Sequence, residues 1–254
     1  MFRRLLLSLF TVTHFAFSYT SWVLIDCDTG DILEQKGAID DRQSPCSTFK
    51  IALSLIGFEE GILIDFENPT WEPPTDQSFT LNIHYQNHNP KLWMKNSCVW
   101  YSQKLTQLMG FKTFDDYITL LNYGNQNTFG DEGLDNGLTH CWLSSSLSIS
   151  PVEQINFIQK LVNRQLPLSI NAQEKTCDLL FNQELAPNWN LFGKTGSGHI
   201  GEKHLGWFVG WLKNEQNCYA FALNFARETM PCKFAGPEAK IKAIKKLKRY
   251  FAIQ

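Results

Sequence analysis

The chain has 254 residues and a formal net charge of −2, with 19% charged and 43% hydrophobic residues, which excludes a basic nucleic-acid binder and a disordered, highly charged chain. That length supports one sizeable core, or two small subdomains sharing a cleft. The 7 cysteines (27, 46, 98, 141, 177, 218 and 232) show no C-x-x-C spacing of the kind zinc sites use, and an odd number leaves at least one thiol free in an oxidising compartment.

In chain order, residues 1–18 read as a secretory signal: Arg3 and Arg4, an apolar run, then Ala16 and Ser18 as small residues before Tyr19. The competing reading is an uncleaved anchor, but the apolar run is shorter than the ~20 residues a bilayer span needs. The mature chain from Tyr19 is therefore expected to be periplasmic or secreted, with no stable membrane anchor and no nucleic-acid partner. Residues 22–26 and 32–35 are strand-like on either side of the turn Asp28-Thr29-Gly30-Asp31, which predicts an opening hairpin.

A helix is expected next, with Ser44 as its cap, Pro45 in the first turn and Gly61 as terminator. From Phe49 to Phe58 it is apolar nearly all round, the pattern of a buried helix. Within it, Ser47-Thr48-Phe49-Lys50 sets a hydroxyl and an amine three residues apart on one face, where Lys50 can take the proton of Ser47. The backbone N–H of Ser47, in the first turn, would be free to donate to a developing oxyanion. That is acyl-transfer chemistry; the alternative is a core helix that merely contains Ser and Lys.

Residues 68–90 are rich in Pro, Asn, Asp and Thr and predict a loop, so His84 and His88 are not expected on a helix where they could chelate, and no metal site is expected. Ser97-Cys98-Val99 supplies a small hydroxyl able to relay a proton to a leaving amine. Tyr123-Gly124-Asn125 reads as a turn, and Ser150-Pro151-Val152-Glu153 as a capping box opening a helix. Residues 191–199, 205–213 and 218–225 then look like strands. The first carries Lys194-Thr195-Gly196: fixed positive charge, a hydroxyl for a substrate carboxylate, and a glycine letting substrate lie against the strand. The N–H of Ser197 on that strand would be the second oxyanion donor. Residues 238–251 form an amphipathic helix with Ile241, Ile244, Leu247 and Phe251 on one side and lysines elsewhere. The expected fold is α/β of the α+β kind: one antiparallel sheet from residues 19–44 and 191–254, with a mostly helical part, 45–190, inserted.

The set of motifs resembles the penicillin-recognising serine acyl-transferases, and in particular the class D, or oxacillinase-type, β-lactamases. The likeness is carried by Ser47-Thr48-Phe49-Lys50, Ser97-Cys98-Val99 followed by Trp100-Tyr101-Ser102-Gln103, Tyr123-Gly124-Asn125, Trp142-Leu143, Lys194-Thr195-Gly196 and Gly206-Trp207-Phe208-Val209-Gly210-Trp211. It implies one catalytic domain over 19–254, its sheet flanked by N- and C-terminal helices. The resemblance also implies that β-lactam antibiotics are substrates, and that no cofactor is needed beyond carbon dioxide or bicarbonate, which converts Lys50 to a carbamate serving as general base. Phe49, Val99, Trp100, Trp142 and Leu143 would give that lysine an apolar lining, and the Trp142 indole N–H would hold the carbamate. Thr195, Gly196 and Val99 would line the substrate. Family members often grip the substrate carboxylate with an arginine after the last strand. Here that stretch is Met230-Pro231-Cys232-Lys233-Phe234, leaving Lys233 or the less well aligned Arg227. Cys46 and Cys98 adjoin site residues and are expected buried and reduced. Two rival readings share parts of the pattern: a β-lactam sensor that stays acylated, and a penicillin-binding transpeptidase or carboxypeptidase, which normally carries S-x-N rather than S-x-V. Oligomeric state is not legible.

Overall fold

A computed structural model describes residues 19–230 and 233–253. The expected signal at 1–18, any helix before Tyr19, and Cys232 lie outside the described residues. The opening hairpin is present as β1 (Tyr19–Asp26) and β2 (Ile32–Lys36). After the helical part come β3 (Phe181–Ala186), β4 (Trp189–Ile200), β5 (Lys203–Lys213) and β6 (Cys218–Arg227). The order across the sheet is β2-β1-β6-β5-β4-β3, antiparallel throughout, so the first strand pairs with the last. Strand β3 was not expected; it is a mostly exposed edge strand with two register shifts, and only Leu185 is buried.

The central strands are apolar on both faces because both faces are covered. Trp22, Leu24, Phe208, Leu212, Phe221, Leu223 and Phe225 pack on one side against Ala239, Ala243 and Leu247 of the C-terminal helix. Val23, Ile25, Trp207, Val209, Trp211, Ala220 and Ala222 face the inserted helices on the other. The inserted part contains α1 (Lys50–Glu59), α2 (Pro90–Asn96), α3 (Val99–Met109), α4 (Phe111–Leu120), the short α5 (Gly137–His140), α6 (Pro151–Val162) and α7 (Ile170–Leu179). The capping box at Ser150 and Glu153 opens α6. Helix α8 (Gly236–Tyr250) closes the described fold. Its buried stripe differs from the expected one: Gly236, Ala239, Ala243 and Leu247 face the sheet, whereas Ile241 is 68% exposed. Small residues let the helix sit close to the aromatic face, and Lys246 is drawn to Glu34 and the Trp22 ring. Among the described residues no helix is long and apolar enough to cross a membrane.

Candidate active site

Ser44 does not cap the helix as expected. Its hydroxyl donates to Trp142 O at 2.8 Å and accepts from Ser144 N–H at 2.9 Å, tying the start of the motif to the loop after α5. The chain instead enters α1 through a 3-10 turn, Cys46–Phe49, with Cys46 at φ 50°. That turn places Ser47 half-exposed at the cleft and Lys50 at the first position of a helix whose residues from Lys50 to Phe58 are all buried. The two reactive atoms, Lys50 Nζ and Ser47 Oγ, are 3.4 Å apart.

Lys50 is fully buried, and burial lowers its pKa from 10.5 to about 8, with Cys98 and Cys46 pulling it partly back. Those thiols are themselves pushed up to about 11 by burial, so at neutral pH they offer no negative charge to pair with an ammonium. The expected apolar surroundings are in place: Phe49 stacks near Trp142 at 5.4 Å between centroids, and Val99, Trp100 and Leu143 line the cleft. The Trp142 indole N–H is buried with no hydrogen-bond partner, an unusual condition for a donor that normally finds one.

Ser97 caps the C-terminus of α2 in the left-handed region, φ 55°, which turns its hydroxyl toward the sheet. There Lys194 Nζ donates to Ser97 Oγ at 2.9 Å and to Thr195 O at 3.0 Å. Burial, and secondarily the nearby Lys50, hold the Lys194 amine well below its usual range. Gly196 is required by close approach, since a Cβ there would lie 2.9 Å from Pro45 O and 3.1 Å from Thr48 Cγ2. Ser197 accepts from Gly236 N–H at 2.8 Å, fixing the strand to the start of α8. Ser47, Ser97, Val99, Thr195 and Ser197 line one cleft of 460 Å³, the size of a small-molecule site.

The two candidates for the substrate carboxylate are not brought into it. Arg227 is ion-paired with Glu238 of α8, and Lys233 is exposed beside the cleft while Phe234 and Pro237 line it. The sequence reading also missed the wall made by Phe79, Leu81 and His84, which sits on loop and a one-turn 3-10 helix, Asn82–Tyr85, too short to show a period. His84 and His88 are spent structurally: His84 Nε2 meets Asn96 O at 3.0 Å, and His88 Nδ1 meets Gln86 O at 2.9 Å. The Tyr123-Gly124-Asn125 turn acts as a brace. Asn125 donates to Ser146 O at 2.8 Å and accepts from Ser148 N–H at 2.9 Å, while Tyr123 packs on Phe49.

This arrangement has known counterparts. Residues 20–247 match the family model of the penicillin binding protein transpeptidase domain. The chain is 38% identical over 209 residues to β-lactamase OXA-9 of Klebsiella pneumoniae, covering 79% of this chain and 76% of that protein. It is 39% identical over 195 residues to β-lactamase OXA-1 of Escherichia coli, covering 75% and 70%. The chain belongs to the class D β-lactamases. A crystal structure of the class D β-lactamase OXA-427 superposes with a TM-score of 0.87 at 31% identity, covering 92% of this chain and 99% of that one. The serine and lysine 3.4 Å apart and the second lysine, hydrogen-bonded to Ser97 from the strand opposite, are brought together at this cleft.

Proposed function

We propose that this chain hydrolyses β-lactam antibiotics through an acyl-enzyme on Ser47, with carbamylated Lys50 as general base, and that it thereby confers resistance. The observation that carries the reading is the environment of Lys50: a fully buried amine lowered to about 8, 3.4 Å from the nucleophile, in a site where the buried Trp142 N–H has no partner. Only a neutral amine adds to carbon dioxide, and desolvation supplies it. The modified lysine would supply a negatively charged base, and Trp142 is the donor that would hold it. A negative charge there would also relieve Lys194, whose buried amine the nearby Lys50 otherwise depresses further.

In acylation, Ser47 Oγ attacks the lactam carbonyl and its proton passes to Lys50. The N–H groups of Ser47 and Ser197 face the developing oxyanion. As the C–N bond breaks, Ser97 passes a proton to the departing nitrogen, with Lys194 orienting its hydroxyl. In deacylation, Lys50 takes a proton from water, which attacks the acyl carbon and frees Ser47. Thr195, Gly196 and Val99 line the bound ring, and Lys233 steers the substrate carboxylate from the rim. Export by residues 1–18 would bring the enzyme to its substrates.

Purified protein mixed with a chromogenic cephalosporin and bicarbonate should give many turnovers per molecule. A single stoichiometric burst, leaving stable acyl-protein, would instead assign a sensor or a penicillin-binding role. Depleting bicarbonate should slow turnover reversibly, and activity indifferent to bicarbonate at every pH would remove the carbamate.

A further inference from the structure

Cys27 directly follows β1, and the register that pairs Asp26 with Tyr219 sets it opposite Cys218, the first residue of β6. The ladder continues there, with Cys27 N–H donating to Cys218 O at 2.9 Å. Opposed residues of an antiparallel pair have Cα atoms about 4.5–5.5 Å apart, inside the roughly 4.4–6.8 Å that a disulfide spans. Both side chains stand on the sheet face covered by the inserted helices, and the two thiols are in contact. We propose that Cys27 and Cys218 are a disulfide site, closed on oxidation to staple the first strand of the sheet to the last.

Access decides how the bond forms. Cys27 is fully buried, and its contact with Cys218 and its burial keep its thiol far above the usual range. Cys218 is half-exposed and lines a 260 Å³ pocket at this end of the sheet, together with Arg164, Cys177 and Asn214. Cys218 is therefore the entry thiol. Its thiolate attacks one sulfur of a small-molecule disulfide such as oxidised glutathione, forming a mixed disulfide and releasing one thiolate. Cys27 sulfur, giving up its proton, then attacks Cys218 and expels the second thiolate. Two S–H bonds are lost, one S–S bond forms, and the oxidant leaves as two thiols that carry the protons. Cys177 is the competing partner, but it sits on α7 with its sulfur held by Arg164 Nη1 at 3.3 Å, and no strand register aligns it with Cys218.

The test is oxidation of the full purified chain with oxidised glutathione, followed by intact mass and peptide mapping. The expected product lacks two hydrogens and yields a linked peptide containing Cys27 and Cys218. Its midpoint of thermal unfolding should be roughly 5–10 °C above that of the reduced protein. The double variant Cys27→Ala/Cys218→Ala should lose this redox-dependent shift, and Cys177→Ala should keep it. Hydrolysis of a β-lactam should be equal in both redox forms, because this pocket shares no residue with the catalytic cleft. A Cys177–Cys218 linkage, a persistent glutathione adduct, or free thiols at 27 and 218 after oxidation would each overturn the proposal, whatever the activity.

Discussion

The cleft is built from two halves that hold their side chains by different means. The sheet half presents Lys194, Thr195 and Ser197 from a regular strand whose register with β5 runs unbroken from Asn190 to Ile200. The helical half presents Ser47, Ser97 and Trp142 from a 3-10 turn, a left-handed helix cap and a loop, with Cys46, Ser97 and Ser144 all at positive φ. Such backbone costs roughly 1 kcal/mol or more at each non-glycine position and persists only where packing over-determines it. Here the brace from Asn125 and the Ser44 bridge to residues 142–144 supply that packing. Backbone strain and the amine beside the nucleophile, Lys50, lie on the helical side, so chemistry should be lost there first, and the sheet side should tune binding and positioning.

The largest effect belongs to Ser47. Ser47→Ala should lower turnover by about 10³-fold or more and abolish the covalent acyl mass, read by steady-state rates and intact mass spectrometry. Lys50 comes next, with an outcome of a different kind. Lys50→Ala should acylate slowly and stay acylated, with kcat down by about 10²–10⁴-fold. In the native protein the neutral fraction of Lys50 grows as pH rises through about 8, so the bicarbonate needed for half-maximal activity should fall from acid to alkaline conditions. A requirement that is flat with pH would sever the buried amine from the mechanism.

The same lysine sets a stability cost. Its pKa falls from 10.5 unfolded to about 8 folded, so the unfolded chain binds more protons between those values. Stability should rise with pH across that window, and the full penalty, about 3 kcal/mol at about 1.4 kcal/mol per unit, should be present below it. Lys50→Met, measured by thermal unfolding in bicarbonate-free buffer at neutral pH, should therefore be more stable than the native chain while inactive. A less stable variant would mean that the lysine's packing outweighs its charge.

How much of this was legible in the sequence divides along the same line. Strands β4, β5 and β6 announce themselves by apolar runs, and the contents of the sheet half were read from the Lys194-Thr195-Gly196 motif on the first of them. Edge strand β3 was silent, because with one buried residue and two bulges it has neither an apolar run nor a period. On the helical side, the spacing of Ser47 and Lys50 gave their shared face, but no local rule gives the left-handed turn at Ser97 or the cap that Ser44 fails to provide. Trp142 was found only through the family likeness; among eight tryptophans nothing local marks the one whose N–H is left without a partner. The buried stripe of α8 was misread because alanines, not the larger Ile241, face the aromatic sheet.

Trp142→Phe isolates that orphan donor. The ring packing on Phe49 and Phe114 is retained while the N–H is removed. A hydrogen bond to a charged acceptor is worth about 1.5–3 kcal/mol, so the variant should need about 10- to 100-fold more bicarbonate for the same activity, with little change in unfolding temperature. Loss of activity that bicarbonate does not rescue would reduce the tryptophan to packing.

The smallest effects should lie on the sheet side, where the substrate carboxylate is read. Arg227 is held by Glu238 and packs on Phe225, so Arg227→Ala should leave KM within about twofold but lower the unfolding temperature, because Glu238 loses a partner in a half-buried setting. Lys233 is exposed, and screening limits an exposed charge to a few tenths of a kcal/mol up to about 1, so Lys233→Ala should raise KM by about two- to fivefold with kcat unchanged. Lys233→Arg is the sharper probe. If the rim position meets the carboxylate directly, the two-pronged guanidinium should lower KM below the native value, most for substrates with an unhindered carboxylate. If KM is the same for lysine, arginine and alanine, the carboxylate is held by Thr195 and the charge of Lys194 alone, and the strand rather than the rim decides which β-lactams enter.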